Sequence, residues 1–461
     1  MGTQTAALTI LSLPNELLEA IAAAGQKSHG YELQRTFKSE WTLSHLCRRF
    51  RQVIVNTPAL WTLVEADLVY KGSVEILKLY LERSGEYHIS AALRSCASDD
   101  VPETFIEDRL NRLIVPHFNR IWRLRIVLSA PNYEWVDPSE LWSDSLAPFR
   151  NIAAPNLRHL ELQVVNAFGD FGDYSDSSYD SSEILRLGAP RLAVVKLSGF
   201  YVSVPLSRWI RTASLTHLEL WRNTANKDDD NSVLVAIVAQ CPFLVHLSLD
   251  NVILTSGPRV RVPSLKFLRI RILDCQEEVL LDDVISLFDC SALNEFIIHG
   301  IHGDQIFALF NSTNPRSSLP GLTTLTFMND PDACANSSRN AWPIHQSPLR
   351  LFPALSSISL IDVCYTTNFA KAILDWHPQP WPLPATLTLC PKEGTEEVDE
   401  MASTLQDAVR SRRERGETLP RFRLSPTLSA RMEWQEDGLE VEVFDPADLL
   451  SWTIDTHHSS S

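Results

Sequence analysis

Three short segments carry side chains whose types and spacing suggest chemistry. His299-Gly300-Ile301-His302-Gly303-Asp304 sets two imidazoles and a carboxylate close together, groups that can ligate a metal ion. His299 falls at the end of an expected strand and His302 in the turn behind it, so the reading is solvated loop histidines and no metal. Lys227-Asp228-Asp229-Asp230-Asn231 lacks the alternate ligand spacing and closing Glu of a calcium loop, and reads as an acidic helix start. Phe267-Leu268-Arg269-Ile270-Arg271 alternates two guanidinium groups beside an aromatic ring, an arrangement for gripping carboxylate or phosphate. No Gly-x-Ser-x-Gly elbow, phosphate loop, dinucleotide fingerprint or His-Glu-x-x-His pair is present. The expectation is therefore a binding protein with no catalytic residue and no cofactor; a hydrolase with a non-obvious triad is the remote alternative.

The elements that must hold these residues are repeated. Leu157-Arg158-His159-Leu160-Glu161-Leu162 sets a phrase with apolar residues at its first, fourth and sixth places. It returns at 192–197, 215–220, 244–249, 265–270, 293–298, 322–327 and 355–360. Pro often opens it, as in Ala154-Pro155-Asn156-Leu157, Ala189-Pro190-Arg191-Leu192 and Cys241-Pro242-Phe243-Leu244. Physically this is a turn fixed by Pro, then a strand whose alternate residues enter a shared core. Helical stretches are expected between copies at 231–240, 282–289, 305–311 and 369–376. Each unit hides its apolar side only by stacking on its neighbours. Spacings run from 21 residues (Leu244 to Leu265) to 35 (Leu157 to Leu192), irregular but overlapping the leucine-rich repeat. The pattern resembles a degenerate leucine-rich-repeat solenoid without the usual Asn ladder. That resemblance implies an α/β fold with parallel strands on the concave side and helices and loops on the convex side. An ordinary α/β sheet protein is the alternative.

The start of the chain reads differently. Pro14 suits a first helical turn, and Leu17, Leu18 and Ile21 share one apolar face. Leu43, Leu46, Phe50 and Ile54 repeat the pattern on a second helix, outside which Arg48, Arg49 and Arg51 fall. Two such helices cannot bury both faces on each other, so apolar surface remains for another partner. Leu13-Pro14-x-Glu16-Leu17-Leu18, then Leu46-Cys47-Arg48-x-Phe50-Arg51, then Pro58-x-Leu60-Trp61 together resemble the F-box, the motif that docks substrate receptors on a Skp-family adaptor of cullin-type ubiquitin ligases. The chain departs from that pattern in Ile21-Ala22-Ala23-Ala24-Gly25 and in a polar stretch from 26 to 40. Between box and repeats, 74–85 reads as a helix ended by Gly, followed by a strand near 87–93, a helix at about 103–118 and the phrase Ile121-Trp122-Arg123-Leu124-Arg125-Ile126. This succession is similar to the large F-box families of mushroom-forming fungi (basidiomycetes).

The chain of 461 residues has net charge -16, which disfavours nucleic acid as a partner. Hydrophobic content of 44% with 12 Trp excludes general disorder. No apolar run approaches a membrane span, and the first residues lack the build of a signal peptide, so no membrane partner is expected and the location reads as cytoplasmic or nuclear. The 8 cysteines form no Cys-x-x-Cys pair and read as reduced, packed thiols.

The expected domains are an F-box-like helical domain at 8–65, a degenerate repeat solenoid at 66–390, a C-terminal helix and cap at 391–452 and a frayed tail at 453–461. Long loops are expected at 169–182, acidic and rich in hydroxyls, and at 328–347. The resemblance implies a ubiquitin-ligase substrate receptor that binds a Skp-family adaptor, and through it a cullin, by Leu13, Pro14, Glu16, Leu17, Leu18, Ile21, Leu46, Cys47 and Phe50. An unknown substrate protein would meet the concave face, where His217, Trp221, His246, Phe267, Arg269 and Arg271 are the candidate anchors. The alternative is a leucine-rich-repeat interaction scaffold without ligase association.

Overall fold

Pro14 opens helix α1 (Asn15–Lys27), whose Leu18 and Ala22 are wholly buried. Helix α1 packs on α3 (Arg48–Val55), which buries Phe50, Val53 and Ile54, and α3 on the short 3-10 turn Pro58–Trp61, which buries Leu60 and Trp61. The expected single second helix is two, because α2 (Ser39–Leu46) stops at Cys47, which is fully extended (φ -159, ψ 168). The Cys47 sulfur accepts from the Phe50 N–H at 3.5 Å and so caps α3. Arg49 reaches back to α1, donating from Nη2 to Leu13 O at 2.6 Å and to Asn15 Oδ1 at 3.1 Å. The two end residues of the polar stretch 26–40 have a structural use. Gln26 donates to Leu60 O at 2.6 Å and to the buried Glu40 carboxylate at 3.2 Å, and the Tyr80 hydroxyl also donates to Glu40. Burial, then the Glu40 charge, pushes the Tyr80 phenol up, so it keeps its proton and donates.

These are coordinates of a computed structural model, which describes residues 13–27, 39–96, 103–129, 146–165, 184–198, 214–221, 232–250, 259–271, 285–300, 319–328, 352–361, 385–391, 396–432 and 440–444, with Ile10, Ala370 and Leu374. The expected loop at 169–182, the helix at 305–311, residues 227–231, His302, Asp304, residues 329–347 and the tail at 453–461 lie outside the described residues.

Two units divide the chain, Met1–Leu215 and Thr216–Ser461. The first holds the helical module and strands β1 (Leu63–Asp67), β2 (Ile89–Cys96), β3 (Ile121–Ser129), β4 (His159–Val165) and β5 (Val194–Ser198), paired in chain order and all parallel. Helix α4 (Lys71–Arg83) crosses from β1 to β2 and ends at Gly85, whose φ of +53 suits a residue without a Cβ. Arg120 closes that helix end, donating to Leu81 O at 2.6 Å, to Ser84 Oγ at 2.7 Å and to Gly85 O. Helix α5 (Glu103–Leu113) is shorter than expected: Pro116 follows it, and the chain continues as the 3-10 segment Val115–Arg120.

The second unit aligns β6 (His217–Trp221), β7 (His246–Asp250), β9 (Phe267–Arg271), β11 (Glu295–His299), β12 (Thr324–Met328), β13 (Ser357–Ile361), β14 (Thr386–Cys390), β15 (Arg421–Leu424) and β16 (Val441–Val443), again parallel and in sequence order. The short strands β8 (Val260–Arg261) and β10 (Phe288–Asp289) pair separately; of the helix expected at 282–289, residues 285–287 are helical and 288–289 form β10. Helix α6 (Ser232–Ala239) precedes β7, α7 (Glu396–Glu414) precedes β15, and α8 (Pro426–Arg431) follows it. The protein is thus mixed α/β, built on long parallel sheet.

The repeated phrase explains this regularity. Before seven of the strands a turn closes with a backbone bond of 3.1 to 3.3 Å, as from Leu192 N to Ala189 O, Leu265 N to Val262 O and Leu293 N to Cys290 O. One carbonyl then accepts two consecutive N–H groups of the next strand: Thr216 O takes Val245 and His246, Lys266 O takes Asn294 and Glu295, Asn294 O takes Thr323 and Thr324. Hydroxyls add rungs where an Asn ladder is missing, since Ser264 donates to Leu244 O at 2.8 Å and Thr323 Oγ1 to Asn294 O at 2.9 Å. The strand leucines form continuous buried rows, Leu218-Leu247-Leu268-Phe296-Leu325-Ile358-Leu387-Phe422 among them.

The opposite sheet face, expected to be open, is so only in part. Phe267, Ile297, Met328, Ile361, Cys390 and Phe444 form a buried apolar cluster there, and His299 and Thr326 are buried as well.

Candidate functional site

Two kinds of surface stand out. On the helical module the adaptor-binding residues inferred from sequence separate into two groups. Leu17 (49% exposed), Ile21 (37%) and Leu46 (59%) project into solvent with Ile10, and Pro14 and Glu16 are exposed beside them. Leu17 and Ile21 stand one helical turn apart. Arg49 is bonded to Leu13 and Asn15, which ties α3 to the start of α1. Leu18 and Phe50, by contrast, are core residues at 0% and 1% exposure. The expected partner contact at both is corrected: Leu18 turns inward with Ala22, and Phe50 with Ile54, each four residues on. Leu13 and Cys47 are half-buried, the latter engaged as the α3 cap.

The second surface is the sheet face opposite the leucine rows. In the first unit, strand register sets Glu65, Ala92, Arg125, Glu161 and Lys196 in one row, with Arg123 beside His159 and Arg94 beside Val127 in the flanking rows. Glu161 lies 2.9 Å from Arg125 Nε, 4.0 Å from Arg123 Nη2 and 3.7 Å from His159 Nε2. Burial alone would raise its carboxyl, but His159, Arg125 and Lys196 outweigh it and hold Glu161 below the usual carboxylate value. Burial pushes the His159 imidazole down, keeping it neutral. Arg125 also donates to Gln163 Oε1 at 3.2 Å.

In the second unit the same face begins with a stack of rings across three strands. His217 and His246 centroids are 5.3 Å apart, and His246 and Phe267 are 4.0 Å apart, near-parallel in both pairs. Phe267 is buried at 8% exposure, so its expected role as an exposed anchor is corrected: it joins the apolar cluster and supports the histidines. Trp221, Arg269 and Arg271 are half-buried on the same face. Arg271 pairs with Asp250 across the strands at 3.6 Å; burial raises the Asp250 carboxyl, with Arg271 and Arg269 opposing. The six residues proposed from sequence therefore do lie on one face of adjacent strands, but a carboxylate already occupies Arg271.

Sequence reading gave no weight to Arg94, Arg123 and Arg125. The signal was available, since Arg123-Leu124-Arg125 repeats the alternation of Arg269-Ile270-Arg271. Among the described residues no group of three His, Cys, Asp or Glu is placed to hold a metal, and no helix is long and apolar enough to cross a membrane.

Fold and surfaces together define a mixed α/β protein of repeated strands, with exposed apolar side chains on its helical module and a charged sheet face. No family model matches the chain, and no curated protein matches it.

Proposed function

We propose that this chain is a substrate receptor of a Skp/cullin/F-box-type ubiquitin ligase. Its helical module, read as an F-box, docks on the Skp-family adaptor, and its sheet, read as a degenerate leucine-rich-repeat solenoid, holds the protein to be modified. The chain would position two proteins in the cytoplasm or nucleus and leave the chemistry to other subunits. One observation carries the reading: Leu17, Ile21 and Leu46 stay in water on a module whose core is already filled by Leu18, Phe50, Ile54 and Trp61. Leaving large aliphatic side chains exposed gains nothing for folding, whereas each contributes about 1.5–3 kcal/mol when a partner covers it.

The test uses the full chain and a purified Skp-family adaptor. Leu17→Glu and Ile21→Glu are each expected to weaken adaptor binding by about tenfold or more, with the melting temperature unchanged. Unchanged adaptor binding in both variants would leave an interaction scaffold without ligase association.

A further inference from the structure

We propose that the sheet face where Arg123, Arg125 and Lys196 surround Glu161, with Arg94 on the next strand, receives a carboxylate-rich segment of a partner protein. This names the partner class for the sheet proposed above to hold a substrate. Its test contains no adaptor, so its failure is distinguishable from failure of adaptor docking.

Charge balance selects this place. On the face of β1 to β5 the described residues set four cations, Arg94, Arg123, Arg125 and Lys196, against three carboxylates, Glu65, Asp67 and Glu161. On β6, β7, β9 and β11 of the second unit they set two, Arg269 and Arg271, against three, Glu219, Asp250 and Glu295. A chain of net charge -16 thus keeps a local cationic excess on one sheet face of its first unit. The side chains are also partly withdrawn from water, Arg123 at 13% and Arg125 at 25% exposure, where attraction to an incoming anion exceeds its value in bulk solvent.

Glu161 shows what the face prefers. A single carboxylate draws His159, Arg125 and Arg123 toward it and still leaves the cations in excess. Carboxylates from outside would meet Arg123 and Arg125, whose guanidinium groups suit forked contact. The cations span β2 to β5, three strand spacings or about 14 Å, which an extended peptide covers in about four to five residues. The occupant is therefore a short extended segment carrying two or more Asp or Glu.

The probe is a fluorescein-labelled Gly-Asp-Glu-Asp-Glu-Asp-Gly peptide, compared by anisotropy with its Asn/Gln counterpart on the full-length chain. The acidic peptide is expected to bind and the amide peptide to bind about tenfold more weakly. Arg125→Gln with Lys196→Gln should lower affinity for the acidic peptide about tenfold, while Arg269→Gln with Arg271→Gln leaves it within about twofold. Glu161→Gln should raise affinity about threefold or more, because it removes an internal competitor, an outcome that a purely structural Glu161 would not give. Lys196→Gln alone, with a partial loss, keeps the test decisive if the double variant fails to fold. Equal binding of both peptides, or equal loss from the two double variants, overturns the proposal. So does tighter binding of a single-stranded DNA of equal length, which would mark a general polyanion site. Tighter peptide binding after Asp170, Asp173, Asp176 and Asp180 are changed to Asn would assign the face to this chain's own insertion, and also overturns it.

Discussion

His159 shows how a single buried group makes stability depend on pH. It is 2% exposed, its Nε2 is 3.7 Å from Glu161, and neither ring nitrogen has a well-formed hydrogen bond. Burial lowers its pKa first, the Arg123 and Lys196 charges lower it further, and Glu161 opposes them. The folded protein therefore keeps the ring neutral at pH values where the unfolded chain, at about 6.5, takes up a proton. The contribution is fully present above that value and is lost as pH falls toward the folded pKa. His117 acts in the same direction, through burial and then Arg120. Asp250 and Glu295, raised by burial, act oppositely, but only nearer the carboxylate range. The melting temperature should thus fall between about pH 7.5 and 5.5, and less so in His159→Gln. Identical slopes in scanning fluorimetry would show that His159 takes up its proton equally in both states.

At the scale of elements, two glycines of opposite setting test how tightly the repeats stack. Gly321 lies in the turn closed by Leu322 N and Leu319 O, and a Cβ there would meet Ser291 O at 2.9 Å and Leu293 O at 3.3 Å, backbone of the preceding turn. Gly321→Ala should cost about 1–3 kcal/mol, because backbone must shift. Gly72, in the first turn of α4, has nothing within 4 Å, so Gly72→Ala should gain about 0.5–1 kcal/mol from reduced freedom of the unfolded chain. Chemical denaturation reads both, and opposite signs are required. The same elements show what was legible in sequence. The phrase at 244–249 or 322–327 sets strand position because its Pro or Ser turn and alternating leucines are local signals. The Gly85 helix end was legible for the same reason. The break at Cys47 was not, because its apolar spacing is continuous across Leu46 and Phe50 and only the extended backbone interrupts it. Burial of the second face was missed too, although Met328, Ile361 and Cys390 share the fifth strand position, where a face open to solvent would favour polar residues.

For the whole molecule, chain-order parallel pairing means that every strand meets only neighbours close in sequence, and stability becomes a sum of local interfaces. The two units also differ in how each completes its core. The first has Leu18, Phe50, Trp61 and Tyr80 around its helices, and the second has leucine rows with an apolar cluster on the opposite face. A cavity cut into one row should therefore be felt nearby and fade with distance along the chain. Leu268, 1% exposed between Leu247 and Phe296, is the place to cut it. Leu268→Ala should cost about 2–5 kcal/mol locally. Hydrogen exchange read by mass spectrometry should then accelerate at least about tenfold at amides of β7, β9 and β11, while β1, β2 and β3 keep their rates, since sites without shared partners behave additively. Equal acceleration in β1 to β3 would show instead that the chain opens as one cooperative body, and stacking of local repeats would no longer account for its stability.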